Sequence, residues 1–290
     1  MSAITIHEEG APRRLLSALG DMPLVLPMGL LFVGFFCGPL ALLVWVSFHN
    51  DQDMTITGTA MWTRFLGDPF YWKVVTDTMM LGFKTVALTL VLGFATGLIY
   101  LSSGPRARSA LLFVIILPLL LSVVVRTFAW IVILGTEGLV NTAALSLGLT
   151  ATPLRLLQTE LGLVISLAQI ELPLMLLPLL SVMGRIDPNL VDASTSLGAS
   201  RWRTMARVIL PLSVPGLIAG SLLVFASSTA AFISQSVIGG GRLIYMPLVI
   251  WQQSLVVFDW PFAAVVSIAL LVTVLGVLAL IGSLGHLART

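Results

Sequence analysis

DPNLVDASTSLGASRWRTMARVILP, residues 187–211, is the only long polar, arginine-bearing segment in the second half of an otherwise apolar chain. Its first two residues form a helix start. The Asp187 carboxylate can accept from the first free amides, and Pro188 is preorganised for the first helical position. From there Leu190, Ala193, Ser194 and Leu197 recur at helical spacing, making one narrow stripe of small and oily side chains. Gly198 can end this helix in a left-handed conformation that a residue with a side chain resists. Ser200 then caps a second short helix that carries Arg201, Arg203 and Arg207 and is expected to end at Pro211, before the next apolar run. The first helix should be about 15 Å long by the rise per residue.

The surroundings of this segment are those of a membrane protein. Hydrophobic residues make up 58% of 290 and charged ones 10%, with a mean hydropathy of +1.05, a balance no water-soluble domain needs. Six continuously apolar runs predict an all-α fold of six spans, at Leu24–Phe48, Thr78–Leu101, Ala110–Leu134, Leu161–Met183, Leu212–Ile233 and Pro261–Leu284. Barrel strands would alternate, and these runs do not. The first run is too long for a secretory h-region and lacks a small-residue cleavage site, so it reads as an uncleaved span. The expected organisation is therefore a cytoplasmic segment over residues 1–23 and one membrane domain over 24–290. Pro118, Pro173 and Pro178 lie inside apolar runs and should kink or loosen their helices. Glycine pairs at Gly34/Gly38, Gly93/Gly97 and Gly216/Gly220 could let helix backbones approach closely, within the bundle or against a partner permease.

Basic residues orient the spans. With the N-terminus inside, the inner face holds Arg13, Arg14, Arg106, Arg108, Arg185, Arg201, Arg203, Arg207 and Arg289. The outer face holds Arg64, Lys73, Arg155 and Arg242, which satisfies the positive-inside rule. Both termini are then cytoplasmic, and residues 187–211 lie along the cytoplasmic membrane surface, within reach of a soluble ATPase.

The same segment carries a family resemblance. Asp192, Ala193 and Ser194 stand where the EAA loop of ABC importer permeases has its acid and two small residues, and Gly198 follows at that family's interval. Val208, Leu210 and Pro211 match the family's closing I-x-L-P. VVVRTFAW (123–130), GASRWRTMARVILPLSVPG (198–216) and FDWPFAAVVS (258–267) make the chain most similar to the polyamine and opine branch. Aspartate stands for the commoner glutamate at Asp192 and serine for the second alanine at Ser194, retaining charge and small size. The resemblance implies a type I (MetI-like) permease of a bacterial or archaeal inner membrane. Two permeases, identical or related, would sit on an ABC ATPase dimer and take a polyamine, opine or related amino compound from a periplasmic or tethered binding protein. ATP and magnesium would be bound by the ATPase and no cofactor by this chain. Leu190, Asp192, Ala193, Ser194, Leu197, Gly198, Leu210 and Pro211 would couple the permease to that ATPase.

Three ionisable residues are expensive at membrane depth: Lys84, Arg126 and Glu171. Arg126 and Glu171 either pair across the third and fourth spans or line the translocation path with Trp130, Gln169 and Phe232. Lys84 is expected to snorkel to the outer surface. The segment after the fifth span, from Gly239 through Trp251 to Trp260, suggests a short helix near the outer surface. Other function classes fit poorly. A net charge of +2 gives no support to nucleic-acid binding, and Cys37 alone makes neither a disulfide nor a multi-cysteine metal site. Lys73 and Lys84, the only lysines, belong to no phosphate-binding loop, and His7, His49 and His286 form no HExxH. An ion-coupled secondary transporter using Arg126 and Glu171 is the alternative; the 187–211 segment speaks against it.

Overall fold

The computed structural model describes the backbone of residues 13–287 and the side chains of residues 27–283. Residues 1–12, Arg289 and the side chains of Arg13, Arg14 and His286 lie outside these, so the expected N-terminal segment and part of the inner charge set do too.

The described chain runs through α1 (Arg13–Ser47), α2 (Ala60–Gly67), α3 (Pro69–Ser102), α4 (Pro105–Ile116), α5 (Val123–Leu134), α6 (Leu139–Ser146) and α7 (Glu160–Met183). It continues through α8 (Pro188–Ser196), α9 (Arg201–Thr204), α10 (Leu210–Thr229), α11 (Phe232–Gly239), α12 (Met246–Trp251) and α13 (Trp260–Leu287). Six stretches are long and apolar enough to cross a membrane: Pro27–Ser47, Pro69–Ser102, Val123–Ser146, Glu160–Met183, Arg201–Thr229 and Trp260–Ser283. The all-α, six-span expectation holds, and three boundaries move.

The third span departs most. Rather than one helix over Ala110–Leu134, α4 tightens into a 3₁₀ turn at Leu117–Leu120, and Leu121 turns extended (φ −88°, ψ 140°) before α5 begins. Pro118 at the start of the 3₁₀ turn offers no amide and crowds the preceding turn. Pro173 and Pro178, by contrast, leave α7 a single helix, because it is packed between α3 and α10. The second span starts earlier than expected, at Pro69. At 34 residues α3 is about 50 Å long, well beyond a hydrocarbon core of roughly 30 Å. The fifth span ends at Thr229, short of Ile233. There the buried Gln235 amide donates to Ser228 O (2.9 Å) and Thr229 O (3.3 Å), replacing the helical amides that would follow.

Close contacts give the helix directions. Glu160, at the start of α7, pairs with Lys84, while Gly93 and Gly97 lie against Met175 and Met183, so α3 and α7 run parallel. Gly216 faces Leu179 and Gly220 faces Met175, so α10 is antiparallel to both. A Cβ on Gly216 would come 2.9 Å from the Leu179 Cα, and one on Gly220 2.8 Å from the Met175 carbonyl oxygen. The helices therefore touch backbone to backbone at Gly216/Gly220, while Gly93/Gly97 make room for the Met175 and Met183 side chains. Gly34 and Gly38 are different: a Cβ there would meet nothing within 4 Å. Among the described residues α1 packs chiefly along α13 and leaves Phe32, Phe35 and Phe36 exposed, so this pair brings no helix of the same chain close.

At the end away from α8, Arg64 pairs with Asp259 at 3.1 Å and lies 4.1 Å over the Phe262 ring, pinning α2 to the start of α13. The loop after α1 closes on Asp51. Its carboxylate accepts from the Thr55 hydroxyl and from the amides of Ile56 and Thr55, which hold its pKa down at about 2.

Candidate functional site

Two sets of residues were expected to carry function, and the fold places them at different depths. The first is the α8 loop. Asp187 Oδ1 accepts from the Asn189 amide at 2.9 Å, and Pro188 opens the helix. At the other end Gly198 sits at φ +78°. Its amide donates to Thr195 O (2.9 Å), and the Ala199 amide donates to Ser194 O (3.1 Å), a complete Schellman stop. Ser200 caps α9 through the Arg203 amide at 3.4 Å.

The stripe read from the sequence faces outward. Leu190, Ala193, Ser194 and Leu197 line an open groove of about 430 Å³ with Arg203 and Arg207. Leu197 is 88% exposed, among the most exposed large apolar side chains described. Asp192 faces another way, into a cavity of about 350 Å³ bounded by Leu101, Arg108, Met183 and Ile209. Leu210 and Pro211 line neither. They open α10, because the helix begun at Ser200 does not end at Pro211 as expected. It continues through a π turn at Met205–Ile209, with the Leu210 amide bonded to Met205 O. Pro211 has no amide for the Arg207 carbonyl and would crowd it; the wider turn relieves both. The loop is thereby joined stiffly to the fifth span. One contact that spacing did not reveal completes this: Ser194 Oγ and Thr204 Oγ1 share a hydrogen bond at 2.9 Å, tying α8 to α9. The serine in place of the motif's second alanine was its only visible sign.

The second set lies at membrane depth where α5, α7 and α11 meet. Arg126 does not pair with Glu171: no ion pair joins them within the usual 4.0 Å, and Arg126 Nη1 instead donates to Ile170 O at 3.0 Å. That carbonyl follows Gln169, whose own helical donor is removed by Pro173, so the turn is loosened here. Arg126 Nε is buried without a hydrogen-bond partner. One turn along α5, Trp130 Nε1 donates to Gln169 Oε1 at 3.0 Å. Glu171 is 6% exposed, with Ser227 and Arg126 as its polar neighbours. The Phe232 ring stacks on that of Trp251, with centroids 5.9 Å apart. Thr127 and Ser234, not expected to contribute, are bonded at 3.0 Å and join α5 to α11. Lys84 does not snorkel free; its Nζ reaches Glu160 Oε1 at 2.5 Å. The sequence separation of 76 residues hid that partner.

Comparison with known proteins gives a consistent picture. Residues 89–289 match the model of the family described as binding-protein-dependent transport system inner membrane component. The spermidine/putrescine transport system permease protein PotB of Haemophilus influenzae is 34% identical over 207 residues, 71% of this chain and 72% of its own. Its counterpart of the same name in Escherichia coli K12 is 32% identical over 247 residues, 84% of this chain and 89% of its own. Among solved structures, a chain of the bacterial alginate ABC transporter in complex with alginate pentasaccharide-bound periplasmic protein superposes with a TM-score of 0.70 at 17% identity. The match covers 97% of this chain and 99% of that one, which establishes a shared fold.

Proposed function

The chain belongs to the binding-protein-dependent transport system inner membrane component family, and from that premise we propose how this multi-pass ABC importer permease does its work and on what. It passes a small amine-bearing solute, of the polyamine or opine kind, taken from an external binding protein. ATP and magnesium are bound and ATP is hydrolysed by a partner ATPase dimer, and a second permease, identical or related, completes the path. Both termini are cytoplasmic. The observation that carries the coupling is Leu197: a large apolar side chain 88% exposed on an open groove, at the end of a helix stopped by its own Schellman turn. A groove in the ATPase that buries this side chain would pass its motion through the π turn into α10. Closure of the ATPases then shifts the permease between inward- and outward-facing packings.

The polar face of α5 and α7 is the proposed path, with Arg126, Trp130, Gln169 and Glu171 along it and Phe232 beside Trp251 as an outer closure. Glu171 is its cation-attracting group, a carboxylate at membrane depth with no ion pair within 4.0 Å among the described residues. Such a group is costly unless used. Glu171→Gln keeps the shape and removes the charge, and uptake of a polyamine is expected to fall about tenfold or more, equivalent to roughly 1.4 kcal/mol. Uptake at the normal rate by that variant would remove Glu171 from the path.

The functional test is reconstitution with the ATPase and binding protein. Uptake should require ATP and persist when ion gradients are collapsed. Uptake driven by a gradient without ATP would favour a secondary transporter. For topology, in a Cys37→Ala background, Ser103→Cys and Thr195→Cys should react only with reagents that enter the cytoplasm, and Thr57→Cys from outside. Labelling of the Thr195→Cys variant by an impermeant reagent in intact cells would place α8 beyond reach of an ATPase.

A further inference from the structure

At the end of the bundle opposite α8, Pro69–Phe83 of α3 stands beyond the start of α7, which is level with Lys84. This projection and the turn leading into α12 enclose a cleft of about 400 Å³, lined by Lys73, Asp77, Glu160, Arg242 and Tyr245. Its two carboxylates are already neutralised. Lys73 Nζ lies 2.5 Å from Asp77 Oδ2, and Lys84 Nζ lies 2.5 Å from Glu160 Oε1. Arg242 is exposed, and its guanidinium has no hydrogen bond or ion pair among the described residues. The turn that presents it is fixed: Gly240 and Gly241 take φ +57° and +72°, and the Met246 amide is anchored on Thr78 Oγ1 at 3.0 Å. Burial, with Glu160 and Asp77 nearby, raises the pKa of the Tyr245 phenol, which keeps its proton as a second donor.

The cleft therefore carries one positive charge without a counter-charge among the described residues, presented from a fixed turn at the face where the binding protein must arrive. A cationic solute is repelled from such a place and a carboxylate is attracted. We propose that this cleft receives an acidic side chain of the external binding protein, with Arg242 as its counter-charge and the Tyr245 hydroxyl as a further hydrogen-bond donor. The proposal rests on the importer reading above and adds to it the place and chemistry of docking.

The test is a titration of binding protein against the reconstituted transporter in zwitterionic vesicles, reading ATP hydrolysis at equal amounts of assembled complex. Arg242→Glu is expected to raise the half-saturating binding-protein concentration about tenfold or more, as loss and reversal of a docking charge does. Arg242→Lys should recover most of it. Added salt should raise the wild-type half-saturation and have a smaller effect on Arg242→Glu. An unchanged titration for Arg242→Glu overturns the docking site while leaving the importer reading intact. An effect seen only when anionic lipid is included assigns the cleft to a lipid headgroup and also overturns it. If binding protein stimulates no hydrolysis in the wild type, the importer reading fails and this docking site with it.

Discussion

Leu197→Asp is expected to abolish solute uptake while leaving the permease inserted and folded. The side chain is 88% exposed and lines an open groove, so nothing within this chain depends on its being apolar. Docked in an ATPase groove, an aspartate there would lose its water without gaining a partner, at a cost of about 3 kcal/mol, on the order of 100-fold in the docking constant. The ATPase should therefore be lost in pull-down from detergent. Gly198→Val separates docking from alignment. Gly198 sits at φ +78° with open space where a Cβ would go, so the penalty comes from the backbone alone, about 1–2 kcal/mol. The stripe survives chemically while its aim shifts. This variant should keep part of the ATPase and fail to link hydrolysis to transport. Wild-type association and uptake by Leu197→Asp would show that α8 is not the coupling helix, and the secondary-transporter reading would take its place.

Gly220→Leu should be the most damaging change inside the bundle. A Cβ at this position lies 2.8 Å from the Met175 carbonyl oxygen and 3.0 Å from its Cα, backbone atoms that cannot rotate away. α7 and α10 would have to part, and overpacking of this kind costs about 3 kcal/mol, with the added side chain increasing the strain. The expected result is a large fall in the thermal midpoint in detergent and in the yield of monodisperse protein. Gly34→Leu is the matched control. Its Cβ meets nothing within 4 Å, and leucine favours the helix by up to about 1 kcal/mol over glycine, so stability should hold or rise slightly. Equal losses in both variants would mean that the contact of α7 with α10 is not what holds the bundle.

The contrast between those glycines marks how far reading along the chain could reach. Whatever depends on near neighbours was legible: the six apolar runs, the Asp187 cap with Pro188 behind it, the outward stripe of α8, and the left-handed stop at Gly198. Capping, periodicity and backbone sterics act within a few residues, and hydrophobic length acts within one helix, so their signals are local. The partners of Arg126 and Lys84 were not legible, nor was the difference between Pro118, which breaks its span, and Pro173, which does not. Nor could spacing tell that Gly93, Gly97, Gly216 and Gly220 meet other helices of this chain while Gly34 and Gly38 meet none among the described residues. A helix that is apolar all round carries almost no record of which face turns inward or how high it stands against its neighbours. Only packing sets that rotation and height. It brought the Ile170 carbonyl to Arg126, left Glu171 without an ion pair among the described residues, and raised the first turns of α3 clear of α7 to form the cleft around Arg242.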